Sequence, residues 1–553
     1  MIKFIKLINT VRYLQWRQIY FQLYYRLRIK RFNIQYTETP YPRDWHKAWS
    51  APQISEHSIQ SLTQVHFLGE AGHVIKPEDW NAPNKSKLWL YQLHYFDGLN
   101  ATHSDMHIEL HKQFIEKWIK ENPCGSGNGW EPYPLSLRIV NFVKWFSRNK
   151  LPVKLEYLVS FGLQTEALLS QIEYHILGNH LFANAKTLIF AGTYLQGKRA
   201  DIWLKKGLEI LDQEINEQFL PDGGHFELSP MYHATLLWDL CDLVHLANQS
   251  GLHDLAIRKT NWETTIIKAI SWLNTMSHPD NKISFFNDAT FGVAPELTQI
   301  KNYISQLHIQ APTKHIDQSI SLSWLKDSGY CAVDMGTGCK AILDIAKIGP
   351  DYQPGHAHAD TLSFELSLYG QRLIVNSGIS EYGNGLIRQQ QRSTRAHNTI
   401  SIEGENSSEV WGGFRVARRA YPRNIFIKGD KKNLSIHCEH NGFLRLPGGN
   451  VHHRTWSFSN QLITIHDHIE GSFKNAEAFF YFHPEVKPIE LKNNIITCYL
   501  SCGKKVELTV FNAEKISIQP STWHPFFYTS LPNQCLVVQF NNSDLFTRIE
   551  WKK

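Results

Sequence analysis

The chain has 553 residues, more than one hydrophobic core usually supports, so two domains of unequal size are expected. Hydrophobic residues at 42% and charged residues at 20% exclude a disordered or fibrous chain. Of the net charge of +6, Met1 to Arg31 supplies eight Lys/Arg and no Asp or Glu. Removing those eight leaves the remainder at −2, which excludes nucleic acid as a partner of the body of the chain.

In chain order, the first element is the basic stretch IKFIKLINTVRYLQWRQIYFQLYYRLRIKR. Cations interrupt its apolar residues too often for the core of a signal peptide or for a membrane span. Two readings follow: a helix packed on the body with solvated Arg side chains, or a helix lying on an anionic membrane surface. Residues 1–84 are read as this helix and a lead-in segment. Eight Cys at 124, 241, 331, 339, 438, 498, 502 and 535 contain no C-x-x-C pair, so free thiols in a reducing, cytoplasmic location are expected.

Residues 85–320 place apolar side chains at i, i+3, i+4 and i+7 in at least seven segments separated by Gly or Pro, without a fixed repeat length. Stacked helical hairpins closed into a toroid fit this better than a regular solenoid. Residues 321–553 change to period two, in short segments such as KAILDIAK, TLSFELSLYG, RLIVNSG and VELTVF, which predict an antiparallel β-sandwich.

Four stretches concentrate chemistry at element ends. Asn179 and His180 stand in GNHLFANA, between two predicted helices. The segment Asp222–His233 holds Glu227, Tyr232 and His233 around a Ser229-Pro230 helix start, with Glu227 readable as a first-turn carboxylate. The run Gly355–Asp360 reads H-A-H over His356 and His358, directly before a strand predicted at Thr361–Leu368, and would send both imidazoles to one side. Between Asn376 and Thr399 lie Tyr382, Arg388, Arg392, Arg395 and His397, the arginines reading as a cationic cluster for a carboxylated or sulfated ligand. No G-x-S-x-G, P-loop or H-E-x-x-H occurs.

Together, GNHLFANA, GGHFELSPMYH, PGHAHADTLSFEL, the strand ending VNSG, and RSTRAHNTISIEGENSSEVWGGFRVARRA resemble the heparinase II/III-like polysaccharide lyases, over roughly residues 85 to 470. The resemblance implies a multidomain α + β protein, an N-terminal incomplete (α/α) toroid followed by a C-terminal antiparallel β-sandwich, with the site between them. It also implies β-elimination of an acidic polysaccharide containing uronic acid, of glycosaminoglycan or alginate-like type. Asn179 with His180 would neutralise the uronate carboxylate, and Tyr232 and His356 would divide proton abstraction at C5 and donation to the leaving O4. Which does which depends on syn or anti cleavage. Glu227, Tyr382, Arg388, Arg392 and Arg395 would line the substrate.

Relatives hold zinc in the β-domain on two His and an Asp, which places the ligands here at His358, Asn376 and His397. Asn376 departs from that pattern, and an amide oxygen is a poorer zinc ligand than a carboxylate. Members without a secretory signal resemble those accompanying surface-polysaccharide synthesis, so the expected substrate is an endogenous capsule or exopolysaccharide and the expected location is cytoplasmic, peripheral to the inner membrane. Two other readings stay open: a glycoside hydrolase or transferase using Glu227 with Asp360 or Asp288, and a non-catalytic glycan-binding protein held at a membrane by Met1–Arg31.

Overall fold

The computed structural model describes residues 2–28, 34–149, 153–312, 319–336, 338–492 and 494–552. Met1 and residues 29–31 of the basic segment lie outside them. The rest of that stretch forms two helices, Ile2–Val11 and Trp16–Leu27, rather than one.

Among the described residues, nine α-helices run from Lys87 to Gln306. Their apolar stripes face one another, so Trp89, Phe114, Trp118, Phe142, Leu188, Trp203, Leu237 and Trp262 share one buried core. Helix starts follow local chemistry. Ser86 and Ser229 each accept a hydrogen bond from the backbone N–H three residues on, and Pro230 occupies the first helical position, where a missing N–H costs nothing.

Among the described residues, three of the antiparallel sheets of the β region share one core. The five-stranded sheet runs in sequence order from Ser321–Leu325 to Gln371–Ile374. The four-stranded sheet orders Ile400–Ile402, Ala476–Tyr481, Leu531–Phe540 and Lys515–Trp523. The eight-stranded sheet starts at the edge strand Pro422–Gly429 and ends at Lys487–Lys492. Leu343, Leu366, Ile400, Ile436, Ile465, Phe480 and Val538 draw all three into one cluster.

The expected alternation fails in the five-stranded sheet, where Lys340–Asp344 and Phe364–Leu368 are buried at every position. Its second face packs on the helical domain: Trp272 and Met276 meet Phe286, Tyr330, Ala332 and Ile342 in a separate cluster. A sheet covered on both faces loses its polar side.

Candidate active site

Four segments converge where the helical and β domains meet. Helix Gly178–Tyr194 starts on two residues of left-handed backbone, Leu177 at φ 68° and Gly178 at φ 55°. A Cβ on Gly178 would lie 2.2 Å from Gln353 Nε2 and 2.5 Å from Glu227 Oε1, so glycine is what lets this turn approach the Glu227 loop. The Asn179 N–H then donates to Glu227 Oε1 at 3.1 Å. The Asn179 side chain hydrogen-bonds Tyr133, while its Oδ1 is buried with no hydrogen-bond partner among the described residues. Asn179 and His180 therefore occupy the first helical turn, not a loop.

His180 Nδ1 lies 3.0 Å from Glu173 Oε1, and its ring packs on Tyr133 with centroids 4.4 Å apart. Burial disfavours the imidazolium, but the Glu173 carboxylate outweighs it and raises the His180 pKa. Asn184, the second asparagine of the motif, fixes Glu173 by donating to Oε2 at 3.1 Å and accepting the Glu173 N–H at 2.8 Å.

Glu227 precedes the Ser229 cap instead of standing in the first turn of the helix, which corrects the expected dipole role. Leu228, at φ 58°, turns the chain there, and Tyr330 Oη and Asn287 Nδ2 both donate to its carbonyl, at 2.8 and 3.0 Å. Glu227 is buried. Its Oε2 lies 3.4 Å from His356 Nε2, and burial raises its pKa against the pull of that imidazole. Tyr232, one helical turn on, has its hydroxyl 2.8 Å from that of Tyr382, and its ring stacks on His356 with centroids 3.8 Å apart. Burial, with Tyr382 and Asp288 nearby, pushes the Tyr232 phenol well above its ordinary range, so it stays protonated.

His356 and His358 both reach Asp288, as the H-A-H spacing implies, but from a turn, because the strand begins only at Phe364. His356 Nδ1 contacts Oδ2 at 2.8 Å and His358 Nε2 contacts Oδ1 at 2.8 Å. Arg388 completes the group with a two-pronged contact, Nη2 to Oδ2 at 2.7 Å and Nη1 to Oδ1. Burial opposes ionisation of Asp288, but Arg388 and the two imidazoles outweigh it and hold the carboxyl well below its usual range. The contact of Nδ1 with Asp288 turns Nε2 of His356 toward Glu227.

The arginines do not form the expected ligand-facing cluster. Arg388 is fully buried on Asp288. Arg392, also buried, donates to the carbonyls of Ala357, Gly412 and Gly413. Burial and the neighbouring Arg388 push its pKa down to about 9. Arg395 is half-exposed and pairs with Glu477 at 2.5 Å. Asp360 is also engaged, accepting the Asn287 N–H at 3.0 Å.

The zinc expectation meets a divided donor set. His358 Nδ1 and His397 Nε2 lie 3.1 Å apart, close to the roughly 3.3 Å that separates two nitrogens on one tetrahedral zinc. The same separation is a hydrogen bond between two neutral rings, and burial lowers their pKa values to about 4 and about 3. The third donor is an uncharged amide. Asn376 Oδ1 already accepts from the Asn398 N–H at 3.1 Å and from its Nδ2 at 3.2 Å. These residues do not fit a three-ligand zinc centre, and no step below depends on a metal.

Tyr133, Glu173 and the orienting role of Asp288 were not singled out in the sequence. For Asp288 a signal existed, since an acid inside the apolar run FFNDATF marks a buried charge in need of partners.

Residues 317–552 match the family Heparinase II/III-like, C-terminal, and residues 23–312 match Heparinase II/III N-terminus. The chain belongs to the heparinase II/III family. A heparin-sulfate lyase of Bacteroides stercoris is 28% identical over 347 residues, covering 55% of this chain and 51% of that protein. Another of Pedobacter heparinus is 24% identical over 374 residues, covering 61% and 55%. The chain thus spans about half the length of the curated relatives it matches. A crystal structure of heparinase III superposes with a TM-score of 0.74 at 19% identity, covering 97% of this chain and 89% of that one, which shows the shared helical-toroid and β-sandwich fold.

Proposed function

We propose that the protein is a polysaccharide lyase that cleaves a uronate-containing acidic glycan by β-elimination. The observation that carries this reading is the buried Asp288–His356–Tyr232 arrangement: an ionised carboxylate on Nδ1, Nε2 turned away from it toward Glu227, and a protonated phenol stacked against the same ring. His356 Nε2 takes the C5 proton. The C5–H electron pair forms the C4–C5 double bond as the C4–O bond breaks, and the Tyr232 phenol protonates the leaving oxygen.

The carboxylate on C5 must be neutralised for that carbanion to form. Glu227, disposed to hold a proton, donates to it, and the Asn179 amide and the His180 cation flank the same position. Hydrolysis is less well served: Asp288 is tied to Arg388 and Asp360 to backbone, which withdraws both from a carboxylate pair.

The relatives are named for heparin sulfate. In this chain Arg388 and Arg392 face inward, which removes two guanidinium groups from recognition of sulfate. We therefore read the substrate as a uronate polymer of low sulfation, the class to which bacterial capsules and exopolysaccharides belong. The test is incubation of the purified protein with a panel of sulfated and unsulfated uronate polymers while following ultraviolet absorbance of the C4–C5 alkene. A rise that is lost in Tyr232→Phe and His356→Ala is expected. Saturated fragments, or none from any polymer, would overturn the reading.

A further inference from the structure

The two N-terminal helices, joined by residues 12–15, are mounted the opposite way round from core-facing amphipathic helices. They are attached to the body through polar groups and through ring contacts, Phe21 lying 4.7 Å from Tyr174 between centroids. Gln18 is 5% exposed and donates through Nε2 to the Tyr352 carbonyl at 3.1 Å. Tyr25 Oη donates to the Ile172 carbonyl at 2.6 Å and Arg28 to that of Ser170 at 2.7 Å. The Trp411 indole donates to Thr10 Oγ1 at 3.0 Å, and the Arg419 guanidinium lies 3.8 Å from the centre of the Tyr13 ring. Ser170 and Ile172 belong to the helical domain, and Tyr352, Trp411 and Arg419 to the β domain. The helix pair therefore straps the two together.

Its apolar side chains look outward. Trp16 is 75% exposed, Leu27 79% and Phe4 65%, and Leu7, Ile8 and Leu23 are exposed as well. Trp16, Tyr20, Leu23, Tyr24, Leu27 and Arg28 line a shallow groove of about 440 Å³. Contiguous apolar surface of this kind marks a docking face. The sequence around it is one-signed: Met1 to Arg31 carries eight Lys/Arg and no acid, on a body of net charge −2. A second copy seated on this face would set those cations against their equals. Anionic headgroups complement them, and an acyl boundary accepts the aromatic and aliphatic face.

We propose that helices Ile2–Val11 and Trp16–Leu27 form a monotopic membrane-docking pair that binds an anionic lipid surface, apolar face inserted and Lys3, Lys6, Arg12 and Arg26 at the headgroups. Among the described residues no helix is long and apolar enough to cross a membrane, so contact is through the interface. The strap touches Tyr352, next to the Gln353 that abuts Gly178. Docking therefore presents one rim of the cleft to the lipid surface, as suits an enzyme whose glycan is made or anchored there. The lipid contact stands independently of the lyase chemistry.

The test is co-sedimentation of the full-length protein with vesicles of phosphatidylcholine alone and of phosphatidylcholine with phosphatidylglycerol, with light scattering of the free protein alongside. Binding to the anionic vesicles, weakened by salt, is expected. The outward-facing triple variant Phe4→Ser/Trp16→Ser/Leu23→Ser should lower partitioning at least about tenfold at unchanged melting temperature. Should that variant misfold, Lys3→Gln/Lys6→Gln supplies the same test through charge, with weaker binding to anionic vesicles expected. No binding to anionic vesicles, equal binding to both vesicle types, or a dimer in solution that the triple variant dissolves would each overturn the proposal.

Discussion

Asp288 and Arg388, 100 positions apart in the chain, form a fully buried two-pronged ion pair, and the same carboxylate fixes the imidazole of His356. Structural and catalytic demands thus fall on one side chain. Asp288→Asn keeps the size of the group but leaves the Arg388 cation buried and unpaired, at a cost of about 3–5 kcal/mol. It also removes the charge that holds the His356 tautomer. A lowered melting temperature and an elimination rate reduced by about 10²–10⁴-fold are expected. A variant that unfolds early yet turns over at the parental rate would show that Asp288 acts on stability alone.

Tyr232 and Tyr382 share one hydrogen bond, but only Tyr232 stacks on His356. Tyr232→Phe should reduce kcat by at least about 10²-fold, since the proton donor is gone. Tyr382→Phe should cost about tenfold, through the position of its partner. Separate kcat and KM values for the two variants decide between these roles, and equal losses in kcat would assign the proton to either phenol.

The donor set at His358, Asn376 and His397 makes zinc a matter of one atom. The parent protein is expected to carry no stoichiometric zinc by elemental analysis and to melt at the same temperature with or without chelator. Asn376→Asp supplies the missing negative charge beside two imidazole nitrogens already 3.1 Å apart. It should acquire zinc and a chelator-sensitive melting temperature. One zinc per chain in the parent would show that an amide oxygen suffices.

Stability should fall on the acid side. Burial lowers the pKa values of His94 and His233 to about 3 and of His111 and His245 to about 4. Unfolded, all four titrate near 6.5. Below that value the unfolded chain binds protons that the folded chain refuses, so their contribution is complete above about 6.5 and is lost as pH falls toward 4. Glu214 and Glu365, raised to about 7 by burial, work in the opposite sense, because the folded chain holds their protons between about 4.5 and 7. His358, His397 and His483, lowered to about 4, about 3 and about 4, act in the same sense as those four, so seven histidines against two glutamates predict a lower melting temperature near pH 5 than above pH 7. A higher one near pH 5 would mean that the two glutamates dominate.

The order of helical then β architecture was legible because periodicity is local: apolar spacing of 3.6 or 2 survives without knowledge of what lies opposite. Three edge strands carry the shortest form of that signal. Ser321–Leu325, Pro422–Gly429 and Lys515–Trp523 each end a sheet, and each carries only a short alternation, at Leu322/Trp324, Ile425/Ile427 and Ile516/Ile518. The motifs also held Asn179, His180, Glu227, Tyr232 and His356, which the fold brings to one place.

Local pattern does not determine which partner a charge meets. Arg388 and Arg392 read as ligand-binding cations because nothing near them in sequence is acidic, yet one meets Asp288 and the other a set of carbonyls. Asp288 gained its role only when His356, 68 positions away, was folded against it. The N-terminal helix pair makes the same point for apolar surface. Its composition set what it can bind, and its tertiary contacts on both domains, polar groups together with the Phe21–Tyr174 ring contact, decided which apolar side chains would be left outward, because a side chain spent on the body is no longer available to a surface.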